Sequence, residues 1–526
     1  MNSAFFEFNV ATSALFSAKN GLSVTSNNIA NSATVGYSRQ VALQRATKPL
    51  PGVCGKGMVG TGSEVYGIGQ VRDFYLDKKY WEQNATLGEY TEKNSQLELV
   101  ETVFSELSTV GITTTVEDFF ESISGLTFSS GDATYRTSVI NYASAFTQNI
   151  NSYAQNLRTQ QRDVNDEIES LVKKINSIGD QVVALNKQIF SYEIDGSNAN
   201  DLRDQRALLI DELSKYVNTE VRTIDTEYGE KYVVLVNGQD FVNHFDNNKL
   251  SCVARQNGEQ LDPDDAPGLY NLEWQSGIDF ATKGLSGQLK GLLDIRDGNV
   301  LTEGSEVLVN STKSHQDYKG IPYYIDRLNT LVQTIAKAVN EGQKLDGTNI
   351  EGIDGHVNGY DANGETGNLF FTYTDETGKT VEDSVNLDYS KINAFNFSVS
   401  DVLMKDSSKL AASTSVGTVE ESNNEIILQF TQLKNNDSLF NEGNVFDYIN
   451  GVSSELAIDK KQAENFDEFY TELTSTSNNQ RISVSGVSLN EEMANMIKYQ
   501  QLYVASAKLM QSISTIYETT INGLGV

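Results

Sequence analysis

Two short stretches combine residue types at a spacing that could bind a ligand. Gly55-Lys56-Gly57-Met58-Val59-Gly60 fits the pattern G-x-G-x-x-G. Such glycines let a backbone approach a pyrophosphate when a strand precedes them and a helix follows. Here Glu64-Val65-Tyr66-Gly67-Ile68-Gly69-Gln70-Val71 follows and alternates like a strand, so the helix N-terminus that would hold the phosphate is missing. Asp354-Gly355-His356-Val357-Asn358-Gly359, with Glu365 six residues on, imitates a calcium loop. Its third position is His rather than Asp or Asn, and an apolar strand stands where the exit helix should begin. A solvated, turn-rich loop is the simpler reading. His244, His315 and His356 stand far apart, and no H-E-x-x-H, Cys/His ligand spacing, G-x-S-x-G or P-loop occurs. No catalytic residue, cofactor-binding residue or metal ligand is assigned, and an enzyme is not expected. Cys54 and Cys252 are too few for a disulfide scaffold; free thiols are favoured over a pair.

What must be positioned instead is a set of helices. From the N-terminus, small or apolar residues recur in alternating steps of four and three: Phe8, Ala11, Leu15, Ala18, Leu22, Thr25, Ile29. Near the C-terminus the same steps run Leu489, Met493, Met496, Gln500, Tyr503, Ala507, Met510, Ser514, Tyr517, Ile521. This spacing lays a seam along one face of each helix. A lone helix with one such stripe is marginal in water, so the two ends need each other or neighbouring molecules. With no partner in the folded body, both ends are expected to be mobile in an isolated chain. Between them, Val164, Ile168, Leu171, Ile175, Ile178, Val182, Leu185, Ile189 and Tyr192 form a third unbroken stripe. Extended back to about Thr134, that helix would be about 80 Å long at 1.5 Å per residue.

Strand signals begin near residue 217. Lys231–Val236, Asn237-Gly238 and Gln239–Phe245 read as a hairpin, because Asn-Gly suits the left-handed turn positions. Residues 321–341 return to helix, with Tyr324, Leu328, Leu331, Ile335 and Val339 on one face. Residues 342–368 are rich in Gly, Asp and Asn and read as loop; short strands are expected at 369–373 and 393–399, and helix from about 423. The fold class is α+β, mainly long α-helices. The expected organisation is a coiled-coil terminal domain (1–60 with 480–526), a helical rod-like body (61–216 with 286–345 and 400–479), a β-rich outer module (217–285) and a Gly/Asp-rich loop with short strands (346–399).

The net charge of the 526-residue chain is -31, which argues against nucleic-acid binding. Residues 1–40 carry +1 and residues 485–526 carry -1, so the middle holds the whole excess. Near-neutral, sticky ends around a repulsive body suit controlled self-assembly. No run approaches the roughly 20 apolar residues of a membrane span, and the first helix has neither the basic n-region nor the continuous apolar run of a cleaved signal peptide.

Ser26-Asn27-Asn28-Ile29-Ala30-Asn31-Ser32-Ala33-Thr34-Val35-Gly36-Tyr37-Ser38-Arg39-Gln40 resembles the N-terminal signature of flagellar axial proteins. Its Tyr-Ser-Arg-Gln ending is similar to that of the FlgK family of hook-associated proteins. Ser485–Gln501 and Ala505–Lys508 resemble the same family, as do Gly60–Gly62 with Arg72–Leu76, Gly287–Asp297 and Gly359–Phe371. The interval between Phe371 and Phe397 is short for an outer β-domain that some members insert there. The resemblance implies a structural subunit of the bacterial flagellum at the hook–filament junction. It implies contacts with its own copies in a ring or helical layer, with hook protein and with the next hook-associated protein. It further implies an extracellular place, export through the flagellum's type III apparatus without a cleaved signal, and an export chaperone on the C-terminal helix. The assembly interface is then expected at Phe8, Leu15, Leu22, Ile29, Leu489, Met493, Met496, Tyr503, Met510 and Tyr517. The family signature maps to Asn27, Asn28, Ala30, Asn31, Gly36, Tyr37, Ser38 and Arg39. Alternatives are another hook or rod protein, an enzyme carried on an axial scaffold, for which residues 217–420 offer no catalytic motif, and a surface adhesin.

Overall fold

The computed structural model describes residues 6–51, 57–104, 111–194, 196–226, 229–256, 259–299, 318–415 and 423–524. Cys54, His315 and the start of the glycine pattern, Gly55-Lys56, lie outside these residues.

Helix α1 (Phe6–Ala30) leads into the strands β1 (Gln40–Ala46), β2 (Leu50–Pro51), β3 (Met58–Val59) and β4 (Ser63–Gln70). β1 pairs antiparallel with β4 and β2 with β3, so much of the glycine-rich stretch between residues 49 and 69 is a ribbon. Then come α2 (Phe74–Phe104), α3 (Ile112–Leu126), α4 (Ala133–Glu193) and α5 (Asn200–Tyr216). Strands β5 (Thr219–Thr226), β6 (Gly229–Val236), β7 (Gln239–Asn243) and β8 (Asp246–Asn247) form one antiparallel sheet in sequence order. Strands β9 (Leu250–Ala254) and β10 (Tyr270–Trp274) form a separate pair. The hairpin turn sits at Asn237-Gly238, where φ is 48° and 77°, the left-handed values that the Asn-Gly pair tolerates. Helices α6 (Gln288–Asp297) and α7 (Ile321–Glu341) precede the short antiparallel strands β11 (Phe371–Tyr373) and β12 (Phe397–Val399). Helices α8 (Asp401–Lys405), α9 (Glu425–Leu433), α10 (Val445–Ser485) and α11 (Leu489–Leu524) complete the chain.

The organising element is α4. Its 61 residues span about 92 Å at the α-helical rise. Asp132 starts it by accepting from the Thr134 amide at 2.7 Å, an N-cap that satisfies one orphan donor. Helices α3, α5, α6 and α7 and strands of the β-sheet all pack against it. Val164, Ile168, Leu171, Ile175, Ile178, Val182 and Ile189 are buried, but Leu185 is half-buried and Tyr192 is 64% exposed. The geometry explains the late departure: a straight helix drifts about 20° per heptad against a strict four–three stripe. By the fourth heptad the inward position has moved to Asn186, which is 1% exposed.

At the other end of α4, Phe146 sits among Phe119, Phe371 and Phe397, with ring centroids 5.7–6.3 Å apart. Here the two short strands and α3 close one continuous core. Helix α7 buries Tyr324, Leu328, Leu331, Ile335 and Val339, the face that its spacing announced.

The calcium-like loop is held by its own chain. His356 is fully buried; its Nε2 accepts from the Ala411 amide at 2.8 Å, and its Nδ1 lies 2.7 Å from the Asn368 carbonyl. Only the neutral tautomer protonated on Nδ1 satisfies both, and burial pushes its pKa down to about 4. Asp361 accepts from the amides of Asn363 and Glu365, and Lys409 pairs with Glu365. Among the described residues no group of three His, Cys, Asp or Glu is arranged to hold a metal ion, and no helix is long and apolar enough to cross a membrane.

Candidate functional site: the joint between the terminal helices and the body

The two ends of the chain meet. Helix α1 packs along α11 on one side and against β1 and β4 on the other, so the terminal stripes do have partners within the chain. The contact is close because it is built on small residues. A Cβ added at Gly21 would lie 2.5 Å from the Tyr499 ring; glycine makes the hole that this ring fills. Ala11, Ala18, Gly21, Thr25 and Asn28 are buried on α1, while Phe8, Leu15, Leu22 and Ile29 are half-buried. On α11, Glu492, Ser506 and Ile513 are buried. Met496, Met510 and Tyr517 are half-buried, whereas Leu489, Met493 and Tyr503 are 47%, 49% and 39% exposed. The expected seam residues therefore border the helix–helix contact or face outward. Leu489, Met493 and Ile497 form an exposed apolar patch on one face at the start of α11, Leu509 and Ile516 are exposed farther along it, and Phe16 on α1 is 56% exposed.

The signature residues gather where α1 ends. The Asn28 amide is fully used: Nδ2 donates to the Gln40 carbonyl at 2.9 Å and to Glu492 Oε2 at 3.1 Å. Its Oδ1 accepts from the Gln40 amide at 3.0 Å and from the Tyr37 hydroxyl at 2.9 Å. Asn27 donates to the same hydroxyl at 3.3 Å, and Asn31 reaches back to the Asn27 carbonyl at 3.0 Å. Ala30 is exposed and makes no polar side-chain contact. Gly36 adopts φ 77°, and a Cβ there would come 2.4 Å from the Leu208 side chain. This position needs glycine twice over, for its left-handed backbone and for space.

Past the turn, the strand leading into β1 fastens to α5 and to the break between α10 and α11. The Ser38 amide and hydroxyl donate to the two oxygens of Asp204 at 2.9 and 2.7 Å. Gln40 donates to Asp201 at 2.8 Å. The Arg39 amide donates to the Ser485 carbonyl at 2.7 Å, and its guanidinium pairs with Glu491 at 2.7 Å. Gln70 at the end of β4 donates to the Asn200 carbonyl at 2.7 Å. Behind them Arg72 grips Asp77 at 2.6 Å and stands 3.6 Å from Asp204; Arg481 of α10 pairs with Asp211 at 2.8 Å.

The electrostatics follow from burial. Asp204 is 5% exposed, and desolvation raises its pKa despite the Ser38 donors and Arg72. The Tyr37 hydroxyl is pushed up to about 12, first by burial and then by Asp201, Asp204 and Glu492. These groups bind, orient and brace; their geometry offers no nucleophile–base pair. The resemblance to flagellar axial proteins locates the signature but not its partners Asp201, Asp204 and Glu492. The one available signal was negative: a polar cluster directly after an apolar stripe.

Comparison with known proteins matches this layout. The model of the FlgK helical domain of flagellar hook-associated proteins matches residues 97–371. The flagella basal body rod protein model matches residues 8–37, and the C-terminal model of the flagellar basal body rod FlgEFG proteins matches 478–523. Flagellar hook-associated protein 1 of Bacillus subtilis (strain 168) is 28% identical over 542 residues, covering 100% of this chain and 99% of that protein. Flagellar hook-associated protein 1 of Escherichia coli (strain K12) is 26% identical over 557 residues, covering 98% and 99%. The solved flagellar hook junction protein FlgK from Burkholderia pseudomallei shares the fold with a TM-score of 0.58 at 13% identity, over 78% of this chain and 100% of that one. The two rod-type matches fall on the paired ends and the FlgK match covers just over half the chain between them: the chain belongs to the FlgK family of flagellar hook-associated proteins.

Proposed function

We infer that the chain is a structural subunit of the bacterial flagellum at the junction between hook and filament, assembling through its two terminal helices. The observation that carries this reading is the correspondence, over essentially the whole length of both chains, with flagellar hook-associated protein 1. The fold supports it physically. Helices α1 and α11 pack on each other and leave Leu489, Met493 and Ile497 exposed on one face of α11, apolar surface of the kind that marks a protein contact.

The finer reading follows. Copies pack through α1 and α11 in a ring or helical layer, with hook protein on one side and the next hook-associated protein on the other. Before assembly, a flagellar export chaperone covers the exposed apolar residues of α11. The subunit leaves through the flagellar type III apparatus, without a cleaved signal peptide, and ends outside the cell. A hook or rod protein is the nearest competing reading, since the terminal segments also match rod-type models; the helical-domain match at 97–371 favours the junction. Deletion of the gene tests both. A junction subunit leaves complete hooks without attached filament; loss of hooks points to a rod or hook protein, and filaments that stay attached overturn both.

A further inference from the structure

Beside the joint lies an open cleft of about 330 Å³, lined by three arginines, Arg72, Arg203 and Arg206, by the carboxylates Asp77 and Glu230, and by Phe74, Trp81, Ala207 and Tyr232 among others. Three arginines face one small space, and they differ in one respect. Arg72 is engaged by Asp77, and Arg203 by Glu193 at 2.8 Å and Glu230 at 2.7 Å. Arg206, only 7% exposed, has no carboxylate within ion-pair distance among the described residues. Its Nη1 donates to Asn186 at 2.8 Å, and its guanidinium lies 3.5 Å from the Tyr232 ring. A guanidinium carries five N–H donors, and the structure gives one of Arg206's a hydrogen-bond partner. Glu193 and Glu230 act on Arg206 only at longer range, since both pair with Arg203, and its remaining donors face the open cleft.

We propose that this cleft is a carboxylate-binding site anchored by Arg206, and that its occupant in the assembly is a Glu or Asp side chain of a neighbouring copy of this chain. Phe74, Trp81 and Tyr232 offer an apolar wall to the methylenes of such a side chain, while the planar guanidinium fork matches a carboxylate. The choice of occupant rests on charge and place. The chain has 71 Asp and Glu against 40 Lys and Arg, so its copies present carboxylates in excess. The cleft opens at the end of β4, beside the residues that fasten the signature joint to α5. This second half of the proposal rests on the reading of the chain as a subunit that packs against its own copies.

The test begins on the isolated full-length chain, with glutarate as the probe and neutral glutaramide as its control. Trp81 reports occupancy by fluorescence, since the chain has two tryptophans and the other, Trp274, is 2% exposed, packs against Phe241 and Phe280 and does not line the cleft. A saturable change with glutarate and none with glutaramide is expected, weakened at least tenfold in Arg206→Met. Ala207→Leu narrows the cleft with Arg206 in place and should weaken binding likewise, so the outcome stands even if Arg206→Met fails to fold. No response to glutarate, an equal response to glutaramide, or undiminished binding in Ala207→Leu overturns the site. In the second arm, incorporation of Ala207→Leu at hook tips should fall several-fold. Undiminished incorporation, with glutarate binding lost, overturns the neighbouring copy as occupant. The first arm is independent of any flagellar role, so its result stands whatever the gene deletion shows.

Discussion

Asn28 and Glu492, 464 positions apart in the chain, are joined by a hydrogen bond of 3.1 Å between two buried side chains. The bond fixes the axial register of α1 against α11, because Asn28 is simultaneously held by Gln40 and Tyr37 and cannot slide. Asn28→Ala removes four hydrogen bonds at once and leaves Glu492 buried without this donor. An unsatisfied buried polar group costs about 1–3 kcal/mol. Hydrogen exchange should therefore accelerate throughout α11 and residues 6–40, with α4 unchanged. Equal protection in the variant would refute the register role.

The edges of the same pair set a second expectation. Leu22 and Met510 are half-buried, so truncation to Ala should cost the isolated chain less than the roughly 2–5 kcal/mol of a fully buried site. Thermal unfolding of the body should be unchanged. In a lattice the loss recurs in every subunit, so Leu22→Ala or Met510→Ala should attach markedly fewer filaments to hooks that lack the junction. Lys19→Ala, on an exposed position of α1, should be nearly silent. Normal attachment by Leu22→Ala, or equal failure of Lys19→Ala, would contradict the interface assignment.

Gly36 gives a sharper local test. A side chain at φ 77° is strained by about 1–2 kcal/mol, and its Cβ would also displace Leu208. Gly36→Ala should loosen Ser38 from Asp204 and increase protease cleavage between residues 31 and 40. A cleavage pattern like the parent's would show that the turn is not constrained.

Acid sensitivity should trace to His356. Its pKa in the fold is about 4 against an ordinary 6.5, so between those values the unfolded chain takes up a proton that the native one refuses. Stability from this group is complete above pH 6.5 and lost as pH falls toward 4, by about 3 kcal/mol in total. Denaturant unfolding at pH 7 and pH 4.5 should show His356→Gln with a smaller difference than the parent. An identical pH dependence would remove His356 as the cause.

Much of this was legible in the sequence, and what was not has a physical reason. The apolar face of α7, the Asn237-Gly238 hairpin and the long stripe of α4 depend on neighbours a few residues away, and spacing records those directly. The end of the α4 stripe was misplaced because pattern matching assumes 3.5 residues per turn and the helix keeps 3.6. On α1 the large residues Leu15 and Leu22 drew attention, yet Gly21 and Ala18 lie deeper, since close approach selects for small size. The clasp of the signature was invisible because Ser38 meets Asp204 and Asn28 meets Glu492 across long stretches of chain. A polar side chain carries no periodicity that names its partner.

The pairing of first helix with last has a consequence for how the molecule comes to be folded. Contacts of such sequence separation form late, because the loop they close is almost the whole polypeptide. Until Glu492 is available, Asn28 has no opposite number, and a product cut short before residue 492 cannot complete this bond. Closure of that bond therefore reports that the chain has been made at least as far as Glu492.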